Sequence, residues 1–202
     1  MYNYDRTVVG FHGTRGETAA RLVDGTAVGK SENDDDWLGH GIYFWEYAPQ
    51  QAWRWARQRH GKEAAVVGAL IRLGRCFDLL DPENVPVLQA AHADFVLAMR
   101  ATGAPLPENV KKNKRLDCAV FNYFCGKMVQ DGQDFESIRA AFVPGSSSAG
   151  GLERAWKGSG IFKNAHIQLC VRRAPNIVAI WSMKRDGRYG RDEDPGFETE
   201  SG

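Results

Sequence analysis

Apolar positions along this chain change their spacing several times, and each change marks an element. Thr7 to Phe11 is short, apolar and partly β-branched, which predicts a buried strand. Glu17 to Val23 predicts a short helix that Gly25 ends. Ser31 to Asp36 is a polar, acidic loop, and Gly41 to Trp45 reads as a second strand. Pro49 suits the first turn of a helix running to about Arg59, with Ala48, Ala52, Trp55 and Ala56 on one face. Ala65 to Leu73 predicts a central strand, and Cys76 to Leu80 continues the sheet after a turn at Gly74. Asn84 to Ala101 has helical spacing, with Leu88, Ala91, Phe95 and Leu97 or Ala98 facing inward. Leu116 to Met128 predicts another helix, whose apolar set is Ala119, Val120, Tyr123 and Phe124. Three strands close the pattern, at Ser137 to Val143, His166 to Val171 and Ile177 to Trp181, the last two joined at Pro175-Asn176. Between the first two, Pro144 to Gly151 reads as a flexible loop and the stretch to Gly160 as irregular. Early helices with strands returning late imply an α+β fold. One domain is expected over residues 1–184, and residues 185–202, charged and Gly-rich, are expected to form a disordered tail.

Composition narrows the class. The chain has 202 residues, 43% hydrophobic and 25% charged, which suits one ordinary globular core. Its net charge is +1, so no global field recruits a polyanion. Lys111, Lys112, Lys114 and Arg115 form a local basic cluster, read as a solvated loop before a helix. Cys76, Cys118, Cys125 and Cys170 include no Cys-x-x-Cys pair, so zinc is not expected, and reduced, buried thiols are. Asp34, Asp35 and Asp36 form an acidic run read as loop or helix cap rather than a calcium site, so no metal is expected. Tyr2 to Val9 lacks a basic head and an apolar run, and Ala64 to Leu73 is too short to span a bilayer. No membrane partner is expected, and the expected location is the cytoplasm.

Two motifs carry candidate chemistry. The first is Phe11-His12-Gly13-Thr14, the second Leu38-Gly39-His40-Gly41-Ile42-Tyr43-Phe44-Trp45-Glu46. Cleaving the nicotinamide–ribose bond of NAD builds positive charge on the sugar, so a site must clamp the nicotinamide and anchor the ribose. An imidazole can bond a ribose hydroxyl, a glycine lets backbone approach a carboxamide, and a tyrosine ring can stack on the nicotinamide. A Gly-Ile-Tyr nuclease reading is discarded, because no Tyr-Ile-Gly follows. Ser146 to Ser148 lacks the Gly-Lys-Ser of a phosphate loop.

Together these motifs resemble the start of the ADP-ribosyltransferase fold of poly(ADP-ribose) polymerases and diphtheria-type toxins. Val67 to Gly74 resembles the strand that follows in that family. Leu116 to Asn122 and His166 to Arg172 resemble segments of small bacterial ADP-ribosyltransferase-like proteins found among toxins and phage-defence genes, and the similarity spans residues 7–183. The resemblance implies a split β-sandwich with flanking helices and NAD as co-substrate. It implies that His12, Tyr43 and Gln168 are the catalytic residues and that His12, Gly13, Thr14, Gly41 and Tyr43 hold NAD, with Trp53 as a second wall of the nicotinamide slot. The family's late-strand Glu falls on Gln168 here, which can bond a hydroxyl but cannot take a proton. His166 and Glu46 are therefore secondary candidates for catalysis, although Glu46 sits three residues after Tyr43 and so on the opposite strand face.

The expected activity is transfer of a single ADP-ribose from NAD to a protein or nucleic-acid acceptor, by a bacterial toxin or antiphage effector restrained by an antitoxin or immunity partner. The rivals are an NAD glycohydrolase and a non-catalytic module that binds NAD or ADP-ribose. The Ser146 to Ser148 loop is expected, by resemblance, to contact the acceptor.

Overall fold

A computed structural model describes residues 4–26, 29–110, 113–143 and 153–184. The tail from 185, the 144–152 loop and Lys111-Lys112 lie outside the described residues. The elements run β1 (Tyr4–Arg15), α1 (Gly16–Val23), β2 (Ile42–Glu46), α2 (Pro49–His60), β3 (Ala64–Gly74), β4 (Cys76–Asp78) and α3 (Asn84–Thr102). There follow β5 (Asn109–Val110), β6 (Asn113–Lys114), α4 (Arg115–Gln130), β7 (Ser137–Phe142), β8 (His166–Val171) and β9 (Ile177–Ser182). The architecture is mixed, with four helices around a seven-stranded sheet in the order β4-β7-β8-β2-β1-β3-β9. The β4–β7 pair is parallel and the other neighbours are antiparallel. Strands β5 and β6 form a separate two-residue ribbon.

Four apolar clusters hold these elements, one of them joining Ala19 and Leu22 of α1 to Val67 of β3. Val8, Ile42, Phe44, Ala69, Ile71, Leu169 and Val171 pack along one face of the sheet. On the other face, Phe11, Trp45 and Val66 pack against Ala52 and Ala56 of α2. Further along that face, Ile138, Ala140 and Cys170 meet Phe121, Phe124 and Cys125 of α4 and Ala91 of α3. Period-2 alternation explains the division: Phe44 and Trp45 are neighbours in sequence and belong to opposite layers.

Details depart from the sequence reading where packing decides. Strand β1 extends beyond Thr7–Phe11 at both ends because β3 pairs with it from Tyr4↔Gly74 to Arg15↔Ala64. In α3, Ala91 and Phe95 are buried and Leu88 and Ala98 half-buried, while Leu97 is 62% exposed, so Ala98 rather than Leu97 turns inward. In α4 the buried set is Cys118, Val120, Phe121, Phe124 and Cys125, while Ala119 and Tyr123 are half-buried. All four cysteines are free and buried. Among the described residues no helix is long and apolar enough to cross a membrane, and no group of side chains could hold a metal ion.

Candidate functional site

The feature that organises the site is a break between β1 and β2. Only Gly10↔Glu46 and Phe11↔Trp45 are in register between them. Beyond Phe11, β1 stays with β3 while β2 stays with β8 from Ile42↔Val171 to Glu46↔Ile167. The sheet parts at His12.

Gly13 opens into that parting. The Val9 carbonyl accepts from the Tyr47 N–H, at 3.0 Å, so odd-numbered residues of β1 turn their backbone polar groups toward β2. Val66, opposite Gly13, accepts from Met183 on its far side at 3.1 Å, which agrees. The Gly13 N–H and C=O therefore point at β2 where registered pairing has ended. Glycine is required here for space: a Cβ would lie 2.5 Å from the Ala52 carbonyl oxygen and 3.2 Å from the Trp55 ring.

His12 leans across the same break. Its Nδ1 donates to the Tyr43 carbonyl at 2.8 Å, which fixes the tautomer and leaves Nε2 as an acceptor. Its ring lies 5.7 Å from that of Phe44. Burial holds its pKa below the ordinary value, against the raising effect of the Tyr43 bond, so the imidazole is neutral near pH 7.

Tyr43 is committed differently. Its hydroxyl donates to the Gly39 carbonyl at 2.7 Å and accepts from the Leu38 N–H at 2.9 Å. Burial pushes the phenol well above its ordinary pKa. The imidazole and the phenol do not grip a ligand from matching sides: His12 meets the Tyr43 backbone, and the phenol clasps its own loop. Gly39 has φ of +78°, and His40 N–H donates to Asn122 of α4 at 2.9 Å, so α4 holds the loop that holds Tyr43.

Gly41 serves packing. Ser31 takes both its backbone groups, at 2.8 and 3.1 Å, and a Cβ would lie 2.4 Å from Cys170 Sγ. Thr14 is buried where β1 pairs with β3. Trp53 packs half-buried against the Phe11–Trp45–Ala52 layer. Trp55 is the tryptophan beside Gly13; it is 40% exposed, 5.9 Å from Trp45 and 5.7 Å from His60 by ring centroids. It stands at the margin of α2's buried face, one residue from Ala56, rather than within it.

Gln168 lies opposite Trp45 on β8, so the two share a face. Its amide is the centre of a relay. Trp37 Nε1 donates to Gln168 Oε1 at 2.8 Å, Gln168 Nε2 donates to His166 Nε2 at 3.0 Å, and His166 Nδ1 donates to the Asn164 carbonyl at 2.6 Å. Burial lowers the His166 pKa, and Arg54 lowers it further. His166 is thus neutral, and its acceptor nitrogen is already engaged.

Glu46 is on the other face and fully engaged. Arg139 Nε and Nη2 donate to its carboxylate at 2.6 and 3.0 Å, and Arg139 Nη1 donates to Asp78 at 3.0 Å. Burial lifts the Cys76 and Cys170 thiols to about 12 and those of Cys118 and Cys125 to about 11, so none is a nucleophile near pH 7.

Comparison with known proteins gives little to add to this geometry. One curated protein stands at 24% identity. It is an uncharacterized protein of Methanocaldococcus jannaschii, aligned over 193 residues, 88% of this chain and 87% of its own. No family model matches the chain, and no solved structure matches it.

Sequence reasoning missed Trp37 and Trp55. Trp37 lies 131 positions before the glutamine it bonds, a separation no local pattern bridges. Trp55 carried a signal that was misassigned, since helical spacing places it at the border of the apolar stripe as much as inside it.

Proposed function

We propose that this protein is an NAD-dependent mono-ADP-ribosyltransferase with an ADP-ribosyltransferase-like fold, and that nicotinamide enters the parting between β1 and β2. The observation that carries this reading is the unregistered N–H and C=O of Gly13, one donor and one acceptor side by side. A primary carboxamide offers the matching acceptor and donor. Trp55 stands next to that edge and supplies a flat wall for an aromatic ring. The free Nε2 of neutral His12, on the Phe44 side of the sheet, accepts a ribose hydroxyl, and the second N–H of Gln168, on the Trp45 side, donates to another, the ribose lying in the parting between the two faces.

In the reaction the glycosidic bond of NAD breaks, nicotinamide leaves with the bonding pair, and the acceptor's lone pair forms the new bond to the ribose carbon, releasing its proton. Glu46 is bound to Arg139 and Gln168 cannot ionise, so neither supplies a carboxylate to the cationic sugar. The acceptor must then attack without strong deprotonation. The Trp37–Gln168–His166 relay, which engages the Gln168 oxygen and the acceptor nitrogen of His166, also favours a second reading, a module that binds NAD and does not cleave it.

One experiment separates them. The full chain is titrated with NAD by calorimetry, then incubated with labelled NAD and cell lysate while free nicotinamide is measured. Transfer gives saturable binding, nicotinamide release and a labelled macromolecule; Gln168→Glu then speeds release by on the order of tenfold or more. Binding with no release refutes the transferase and retains the module. Release with no labelled macromolecule points to hydrolysis. Absence of binding refutes all of these readings.

A further inference from the structure

Residues 153–163, just before β8, fold as a small hairpin. Ala155 N–H donates to the Ile161 carbonyl at 2.9 Å and Lys163 N–H to that of Glu153 at 2.9 Å, with an Arg154↔Phe162 bridge between. The tip turns at Gly158, φ +80°. On that tip Trp156 is 63% exposed, and Ile161 beside it is 61% exposed. A bare indole held out by a braced turn has no part in the core. Its large flat apolar face marks an interaction surface.

The surrounding charge is one-sided. Helix α2 contains Arg54, Arg57 and Arg59 and no acidic residue, and Arg54 Nη1 donates to Asn164 Oδ1 at 2.7 Å, which places the helix against the base of the hairpin. The hairpin adds Arg154, Lys157 and Lys163 against the single acid Glu153. On a chain of net charge +1, these two segments concentrate six cations against one anion. Arg154 lies over the Phe162 ring at 4.8 Å and its Nη1 donates to the Ser159 carbonyl, so its exposed guanidinium is pre-positioned on the hairpin.

We propose that the hairpin and Arg54 of α2 form a docking surface for single-stranded nucleic acid, with one base stacked on Trp156 and the phosphates along Arg54, Arg154, Lys157 and Lys163. A duplex keeps its bases stacked internally and cannot use the indole without unstacking. An acidic peptide satisfies the charges but leaves the indole unused. The inference rests on the proposed transferase only in naming what the surface would deliver: the strand's end at the hairpin base lies next to His166 and Gln168.

The test measures fluorescence anisotropy of the full chain with a labelled 20-nucleotide single-stranded RNA, the same sequence as DNA, its duplex, and a poly-glutamate peptide. Tight binding of a single strand is expected. Trp156→Ala, on an exposed side chain with unchanged circular dichroism, weakens it roughly 5- to 150-fold. Raising salt from about 50 to 200 mM weakens it roughly 50-fold if four phosphates are neutralised. Lys157→Glu weakens binding and flattens that salt dependence. The proposal is overturned if the duplex or the peptide binds as tightly as the single strand, or if Trp156→Ala binds unchanged. Strand binding is read here without NAD and nicotinamide release in the separate labelled-NAD assay, so strand capture here with no release there overturns the transferase alone, and release there with no strand capture here overturns the docking surface alone.

Discussion

Replacing Arg139 by Met tests whether Glu46 is spent on the fold. The Arg139 side chain is 7% exposed, that of Glu46 3% and that of Asp78 7%, so three ionised groups from β7, β2 and β4 are withdrawn from water together. Removing the guanidinium strands two carboxylates. Asp78 retains the Leu80 N–H at 3.0 Å, and Glu46 retains only Arg6 at 3.8 Å, itself largely solvated. Breaking a buried pair in this way costs about 3–5 kcal/mol. For a domain of this size that lowers the melting temperature by roughly 6–20 °C. The triple variant Glu46→Leu, Arg139→Met and Asp78→Asn removes the stranded charge and recovers most of the loss, because desolvation and attraction nearly cancel in such networks. Calorimetry and urea titration of the two variants decide it. A loss below about 1 kcal/mol in Arg139→Met, or a triple variant as unstable as the single, refutes the argument. The same pair bears on chemistry: a Glu46→Gln protein that folds and keeps its nicotinamide release excludes Glu46 as the catalytic carboxylate.

Other outcomes follow from the same coordinates. Tyr43→Phe abolishes the clasp on Leu38 and Gly39 and costs about 1–3 kcal/mol in urea unfolding; a large loss of NAD affinity with little loss of stability would place the hydroxyl on the ligand instead. Gly13→Ala forces a methyl against the Ala52 carbonyl and destabilises by about 1–3 kcal/mol, read as a fall in melting temperature. Stability depends on pH through His12 and His166, whose folded pKa values are lowered. The unfolded chain takes up protons there from about pH 6.5 more readily than the native protein does, so stability is lost as pH falls below that point. Asp36, whose pKa burial raises, acts in the opposite sense at lower pH. A urea midpoint that rises across this window contradicts the assignment of both imidazoles as neutral.

Much of the scaffold was legible because its signals are local. Pro49 at the first turn, the apolar run of β3 and the pair β8–β9 are each encoded within a dozen residues, and they fall where spacing places them. What is not local was not legible. Period-2 alternation put Glu46 on the face away from Tyr43, yet only the folded sheet brings Arg139, 93 positions away, onto its carboxylate. The register break between β1 and β2 has no signature in either strand, since it depends on where β3 and β8 draw them apart. The hairpin at 153–163 read as irregular because its bonds link residues of no marked strand preference.

Asn164 makes that hairpin more than an appendage. It adopts φ of +59°, a conformation asparagine tolerates better than most residues, and gives its side-chain oxygen to Arg54 and its backbone oxygen to His166. One residue thus ties a helix, a turn and a strand at a single knot. A displacement of Asn164 would therefore shift both the anchor of Arg54 and the acceptor of His166 Nδ1, and through His166 the amide of Gln168.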